Sequence, residues 1–167
     1  TTHFEAANYP IGVEKGSGYT CPTENLVSAY EMSDGSSFDW NNPAQATNPY
    51  KNRDPRLEMT VVFNGMQWPA KIPVETYHGG RNGQPLLNAT TTGYYLKKYL
   101  NNKVIFEAGK NTNSFDHNWI LFRYAEILLN YAEAMTEAYG PDQVVSPFTM
   151  SAREAVNLVR SRKNVKM

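Results

Sequence analysis

The densest charge in the chain falls in the run Asn48-Pro49-Tyr50-Lys51-Asn52-Arg53-Asp54-Pro55-Arg56-Leu57, where Arg53, Asp54 and Arg56 stand almost side by side. A planar guanidinium fork grips carbonyls and carboxylates, and a loop crossing a core needs its polar groups satisfied. The trio therefore reads as a structural clamp. Arg123 and Glu126, one helical turn apart, read as a structural pair. Asp34, Asp39, Glu75, Glu107 and Asp116 lie on expected loops. Glycoside hydrolysis needs two carboxylates about 5 to 10 Å apart, but any chain of this length offers such a set, so no enzyme is expected. His3, His78 and His117 are scattered without an H-E-x-x-H pattern, and no nucleophile elbow or phosphate loop is present. His78-Gly79-Gly80-Arg81-Asn82-Gly83 lacks a strand-to-helix context and reads as a mobile loop tip. The turn at Asp34-Gly35-Ser36 is far from a calcium loop. Cys21 is the single cysteine and fits neither a disulfide nor a zinc site. Neither metal nor cofactor is expected.

Aromatic residues carry the better binding signal. They make up 13% of the chain. A flat ring can cover the C–H face of a sugar while amides, carboxylates or Arg take its hydroxyls. Trp40 lies between Asp39 and Asn41-Asn42, Trp68 follows a turn, and Tyr77 neighbours His78 and Arg81. Trp40, Trp68, Tyr77 and Arg81 are the candidate ligand-binding residues. Trp119, at an expected helix start, reads as core.

Sixteen basic residues balance sixteen acidic ones. That neutrality leaves no footprint for nucleic acid and no polybasic face for anionic lipid. With 167 residues, 41% of them hydrophobic, the chain suffices for one globular domain with a core. No apolar run reaches membrane-spanning length, and the first residues do not resemble a signal peptide. The chain reads as a fragment of a longer protein.

The elements that must position these residues are unevenly signalled. Residues 1 to about 22 read as irregular loop. A short helix follows, with Leu26, Val27 and Tyr30 on one face and Gly35 as its stop. Residues 34 to 56 read as loop, punctuated by Asn42-Pro43, Asn48-Pro49 and Asp54-Pro55. Met59 to Phe63 reads as a strand, with Asn64-Gly65 as a hairpin turn and Met66-Gln67-Trp68 as the return strand. Tyr94 to Leu100 is open between strand and short helix. A long amphipathic helix is expected from Asn118 to about Tyr139, its apolar stripe formed by Ile120, Leu121, Tyr124, Ile127, Leu128, Tyr131 and Met135. Gly140 and Pro141 end it. A second helix starts at the capping box Ser151-Ala152-Arg153-Glu154, with Ala155, Val156 and Val159 facing its partner. The pattern is similar to one tetratricopeptide-like repeat, which cannot bury its own face alone.

Five segments in order resemble the SusD/RagB family: Pro22 to Met32 followed by Asp34-Gly35; the Arg-Asp-Pro-Arg run; Thr92-Gly93-Tyr94-Tyr95; Arg123-Tyr124-Ala125-Glu126; and Asn157 to Arg162. The resemblance implies a mainly α fold: a tetratricopeptide-like helical scaffold with a loop-rich region and a small β-hairpin. It divides the chain into a loop-rich, ligand-facing part over about 1–117 and a helix pair over about 118–163. It further implies a non-catalytic lipoprotein on the extracellular face of the outer membrane. Such a protein binds oligosaccharide and delivers it to a SusC-like TonB-dependent transporter, and its lipid anchor lies outside this fragment. A peptide or other nutrient in place of glycan, and a transporter-docking module with no ligand of its own, remain open alternatives.

Overall fold

A ribbon of two very short strands organises the N-terminal part of the protein. The computed structural model describes residues 3–104 and 118–165; Glu107, Asp116 and His117 lie outside them. Val61–Val62 (β1) pairs antiparallel with Tyr95–Leu96 (β2), in the register Val61 to Leu96 and Val62 to Tyr95. Side chains alternate across a strand, and here both faces are covered. Val61, Phe63 and Tyr94 point into one cluster with Val27 and Leu57. Val62 and Tyr95 point into another with Tyr9, Ile11, Trp68, Val74 and Val104. Burial on both faces explains why this stretch is apolar without alternation.

The chain divides into two compact units, Thr1–His117 and Asn118–Met167. The first holds the ribbon and four short helices, α1 (His3–Asn8), α2 (Glu24–Ser28), α3 (Pro43–Thr47) and α4 (Pro55–Thr60). Three of these begin on a side-chain cap. Thr23 accepts from the Leu26 amide, Asn42 from Ala44 and Asp54 from Arg56. In α3 and α4 a proline occupies the first turn, where its missing N–H costs nothing.

These caps correct several expectations. Asn42-Pro43 and Asp54-Pro55 start helices instead of punctuating a loop. Met59 and Thr60 belong to α4, so the strand is only Val61–Val62. Asn64-Gly65 does turn the chain, with the Met66 amide donating to Phe63 O at 3.1 Å. The returning segment, however, pairs with Val74 through two backbone bonds of 2.7 and 2.9 Å, and β1 takes its partner from Tyr95–Leu96. That pairing resolves the ambiguous segment as strand. Helix α2 ends at Ser28 and buries Val27 but leaves Leu26 exposed. Gly35 (φ 84) belongs to a later turn whose amide donates to Met32 O. Residues 3–8, expected as loop, are helical.

The second unit is the tetratricopeptide-like helix pair, α5 (Tyr124–Tyr139) and α6 (Ala152–Arg160). Leu128, Ala132 and Met135 of α5 meet Ala152, Ala155 and Val159 of α6. The small residues allow close approach. Gly140 ends α5 with φ 89, where glycine carries no Cβ penalty. Both halves of the Ser151–Glu154 capping box are formed. The helix starts six residues later than expected, at Tyr124. Ile120, Leu121, Tyr124 and Ile127 are exposed, so α6 covers only part of the apolar stripe. Trp119, expected as core, is exposed as well. Among the described residues, no helix is long and apolar enough to cross a membrane.

Candidate functional site

The charged trio is absorbed by the scaffold. Arg53 is buried and donates to three carbonyls, Pro49 O, Val27 O and Tyr30 O, each at 2.7 Å. Its guanidinium also lies 4.0 Å from the Phe38 ring centroid. Burial pulls the Arg53 pKa down from its usual value, against the opposing charge of Glu24. Buried Asp54 caps α4 and pairs with Arg56 Nη2 and Nε. The Arg56 side chain is held in its charged form by that partner. Arg53 therefore ties α2 and the loop before α4 together, and neither arginine presents a free fork. Arg123 stands in extended conformation at the cap of α5 (φ −133, ψ 147). Among the described residues the Arg123 and Glu126 side chains form no ion pair, which corrects the expected pairing.

The three loop aromatics meet different fates. Trp68 is only 7% exposed and packs edge-to-face on Tyr9 with centroids 5.3 Å apart. It is a core ring whose margin lines a small cleft of about 150 Å³ together with Val13, Ile72, Val74, Arg81 and Asn82. Arg81 bonds to Glu75 at 2.9 Å, which neutralises it and lowers the Glu75 carboxyl. Asn82 is buried, donates to Ile11 O and accepts from the Glu75 amide. The glycine-rich segment, read as a mobile tip, is thus pinned at Asn82. Tyr77 is 56% exposed.

Trp40 is the ring most clearly presented and held. It is 46% exposed. Its Nε1 donates to Glu24 Oε1 at 3.1 Å, and its ring meets Phe38 edge-on with centroids 5.0 Å apart. Glu24 opens α2 and also accepts from Ser28 Oγ at 2.7 Å and from Tyr94 Oη at 2.6 Å. Burial pushes the Glu24 carboxyl up, but the donors Tyr94, Ser28 and Trp40, with the Arg53 charge, outweigh it and leave the pKa below the usual range. The Tyr94 hydroxyl is raised far above its ordinary range by burial and by its bond to Glu24. Asp39, Asn41 and Asn42 flank the indole in sequence. Asp39 Oδ1 accepts from the Asn41 amide at 2.8 Å, and Asn42 caps α3. Sequence reasoning missed Glu24 and Tyr94 because their contacts run between separate segments, Glu24 to Trp40 and Tyr94 to Glu24; Phe38, two residues before Trp40, was the local signal it passed over.

Among the described residues no cluster of three His, Cys, Asp or Glu side chains could hold a metal ion. Asp34 is engaged with Ser36, which lowers its carboxyl.

The SusD family model matches residues 3–166. The chain belongs to the SusD family. Among solved structures it resembles a SusD-like carbohydrate-binding protein of Bacteroides fragilis. That match has a TM-score of 0.72 and 24% identity, over 97% of this chain and 31% of the other. It also resembles a second SusD-like protein of Bacteroides fragilis, with a TM-score of 0.67 and 31% identity over 90% of this chain and 30% of the other. The chain thus spans about a third of the length of these relatives. No curated protein matches it. In this SusD-family chain the motif segments build the frame. Pro22 to Met32 holds α2 and its cap, the Arg-Asp-Pro-Arg run ties α2 to α4, and Tyr94-Tyr95 leads into β2 and supplies its first residue. Trp40, Phe38 and Tyr77 lie between those segments.

Proposed function

We propose that the protein to which this chain belongs captures oligosaccharide without catalysis, and that Trp40 is a stacking platform for the sugar. The supporting observation is the half-exposed indole, gripped along its edge by Glu24 and Phe38 and flanked in sequence by amides suited to hydroxyls. Tyr77 and the Trp68–Arg81 cleft are candidate outer contacts. Arg53, Asp54 and Arg56 serve the frame. A SusD-like relative is described as carbohydrate-binding, and the same ligand class suits the ring here. On this reading the longer protein sits at the outer face of the outer membrane on a lipid anchor beyond this fragment. It hands its ligand to a SusC-like TonB-dependent transporter.

The test is isothermal titration of the intact protein with a panel of α-glucan, β-glucan, xylan and mannan oligosaccharides. Trp40→Ala and Tyr77→Ala are titrated beside it. Losing roughly 60–80 Å² of apolar contact corresponds to about 1.5–2 kcal/mol, so Trp40→Ala should weaken binding roughly 10- to 30-fold. Trp68→Ala removes a core ring and is expected to lower stability by about 3–5 kcal/mol, so it is not diagnostic for the sugar. Saturable heat with peptides and none with any glycan would replace this reading with peptide capture. Silence from both would leave a docking role on the transporter.

A further inference from the structure

We propose that Glu24 is a positioning residue for glycan capture: it sets the plane of the Trp40 indole before ligand arrives, and Tyr94 holds the Glu24 carboxylate in place. This rests on the reading of Trp40 as the sugar platform.

The geometry is a relay from core to surface. Tyr94 is buried between Val27, Leu57, Val61 and Phe63. Its hydroxyl donates to Glu24 Oε2 at 2.6 Å, while the other carboxylate oxygen accepts from Ser28 Oγ at 2.7 Å and Trp40 Nε1 at 3.1 Å. A carboxylate held at both oxygens cannot rotate freely, so the indole N–H finds its acceptor in one place. On its other side Trp40 meets Phe38, which the Arg53 guanidinium holds at 4.0 Å. The indole is therefore fixed at its polar edge and through its ring neighbour, and it remains half-exposed. A half-exposed Trp on a loop would otherwise sample several rotamers and lose that freedom on binding. Fixing it in advance removes this cost from the affinity.

Glutamine at position 24 can keep the acceptor facing the indole and Ser28 and turn its amide toward the Tyr94 oxygen, which can accept. Alanine removes the acceptor. Phenylalanine at position 94 keeps the Glu24 acceptor but releases its tether.

The test reads the Trp40 indole N–H by NMR hydrogen exchange in the ligand-free intact protein, with the resonance assigned by its loss in Trp40→Phe. Glu24→Ala should speed exchange about 5- to 10-fold, the factor for losing one partly exposed charge-assisted hydrogen bond. Tyr94→Phe should fall between, and Glu24→Gln should stay within about twofold of wild type. Affinity for whichever oligosaccharide of the panel binds should follow the same order, with Glu24→Ala weaker by about 3- to 5-fold through the added ordering cost. Unchanged indole exchange in both Glu24→Ala and Tyr94→Phe would overturn the inference. So would loss of affinity in Glu24→Gln equal to that in Glu24→Ala. A Trp40→Ala variant that binds glycan like wild type would instead overturn the platform reading, while the exchange measurement still decides whether Glu24 holds the ring.

Discussion

Arg53→Lys separates the fork of this side chain from its charge. The guanidinium reaches Pro49 O, Val27 O and Tyr30 O at once, whereas a lysine ammonium is a point donor on a longer stem. Val27 O keeps a second donor in the Tyr30 amide, at 3.3 Å. Tyr30 O and Pro49 O gain no such replacement among the described residues, so lysine can serve one of them at best. Each lost charge-assisted bond to a part-buried carbonyl costs about 1–2 kcal/mol, and the contact with Phe38 adds about 0.5–1 kcal/mol. With one carbonyl left unserved, the sum is a loss of roughly 1.5–3 kcal/mol despite the retained charge. Urea unfolding of the intact protein should show this as a lower midpoint with an unchanged slope for the transition that reports this unit. A shift below about 0.5 kcal/mol, the range of an ordinary surface change, would refute the clamp.

Other perturbations test the frame and the site. Gly12→Ala should cost at least ~2 kcal/mol in the same assay, because Gly12 has φ +81 and an added Cβ would lie 2.5 Å from Arg81 O. Ser151→Ala removes one half of the α6 cap, which is worth about 1 kcal/mol. Amide exchange at Glu154 should then quicken roughly fivefold. Because the folded Glu24 carboxyl is lowered, its contribution is fully present above the unfolded-state value of about 4.3 and is lost as pH falls through the lower folded value. Indole exchange at Trp40, corrected for its intrinsic pH dependence, should lose protection over that acid window in wild type and show no such step in Glu24→Gln.

What was legible in the sequence was mostly local. The pair α5–α6 announced itself because 3.6-residue periodicity, the capping box and Gly140 act within a few residues of one another. The turn at Asn64-Gly65 was equally local, but its expected consequence was not. Val61–Val62 takes Tyr95–Leu96 as its partner because burial on both faces rewards a long-range pairing over the adjacent return. Asn42-Pro43 and Asp54-Pro55 are ambiguous signals. The same dipeptide begins a turn or caps a helix, and the following residues decide. Trp40 and Trp68 show the limit most plainly. Both are tryptophans beside polar residues, yet Tyr9 claims one for the core while Glu24 and Phe38 hold the other at the surface. Phe38 is local to Trp40, but Glu24 and Tyr9 come from distant segments, and they decide which ring stays at the surface. The late start of α5 at Tyr124 has a similar cause. Residues 118–123 match the apolar stripe but lie outside the helix, and Arg123 is extended.

The ribbon at the centre of the first unit carries a further consequence. Two residues per strand give a ladder too short to specify its own alignment, and the valines at 61 and 62 are chemically interchangeable. The tyrosines are not. Tyr94 delivers its hydroxyl to Glu24, whereas Tyr95 donates to Asn82 O at 2.5 Å and accepts from the Thr90 amide at 3.1 Å. Sliding the strand by one residue would exchange the two rings and strand both hydroxyls away from their partners. Proofreading of the alignment therefore falls to two phenols, and the check that rejects a misaligned strand at one of them is made at the same carboxylate that steadies the surface indole.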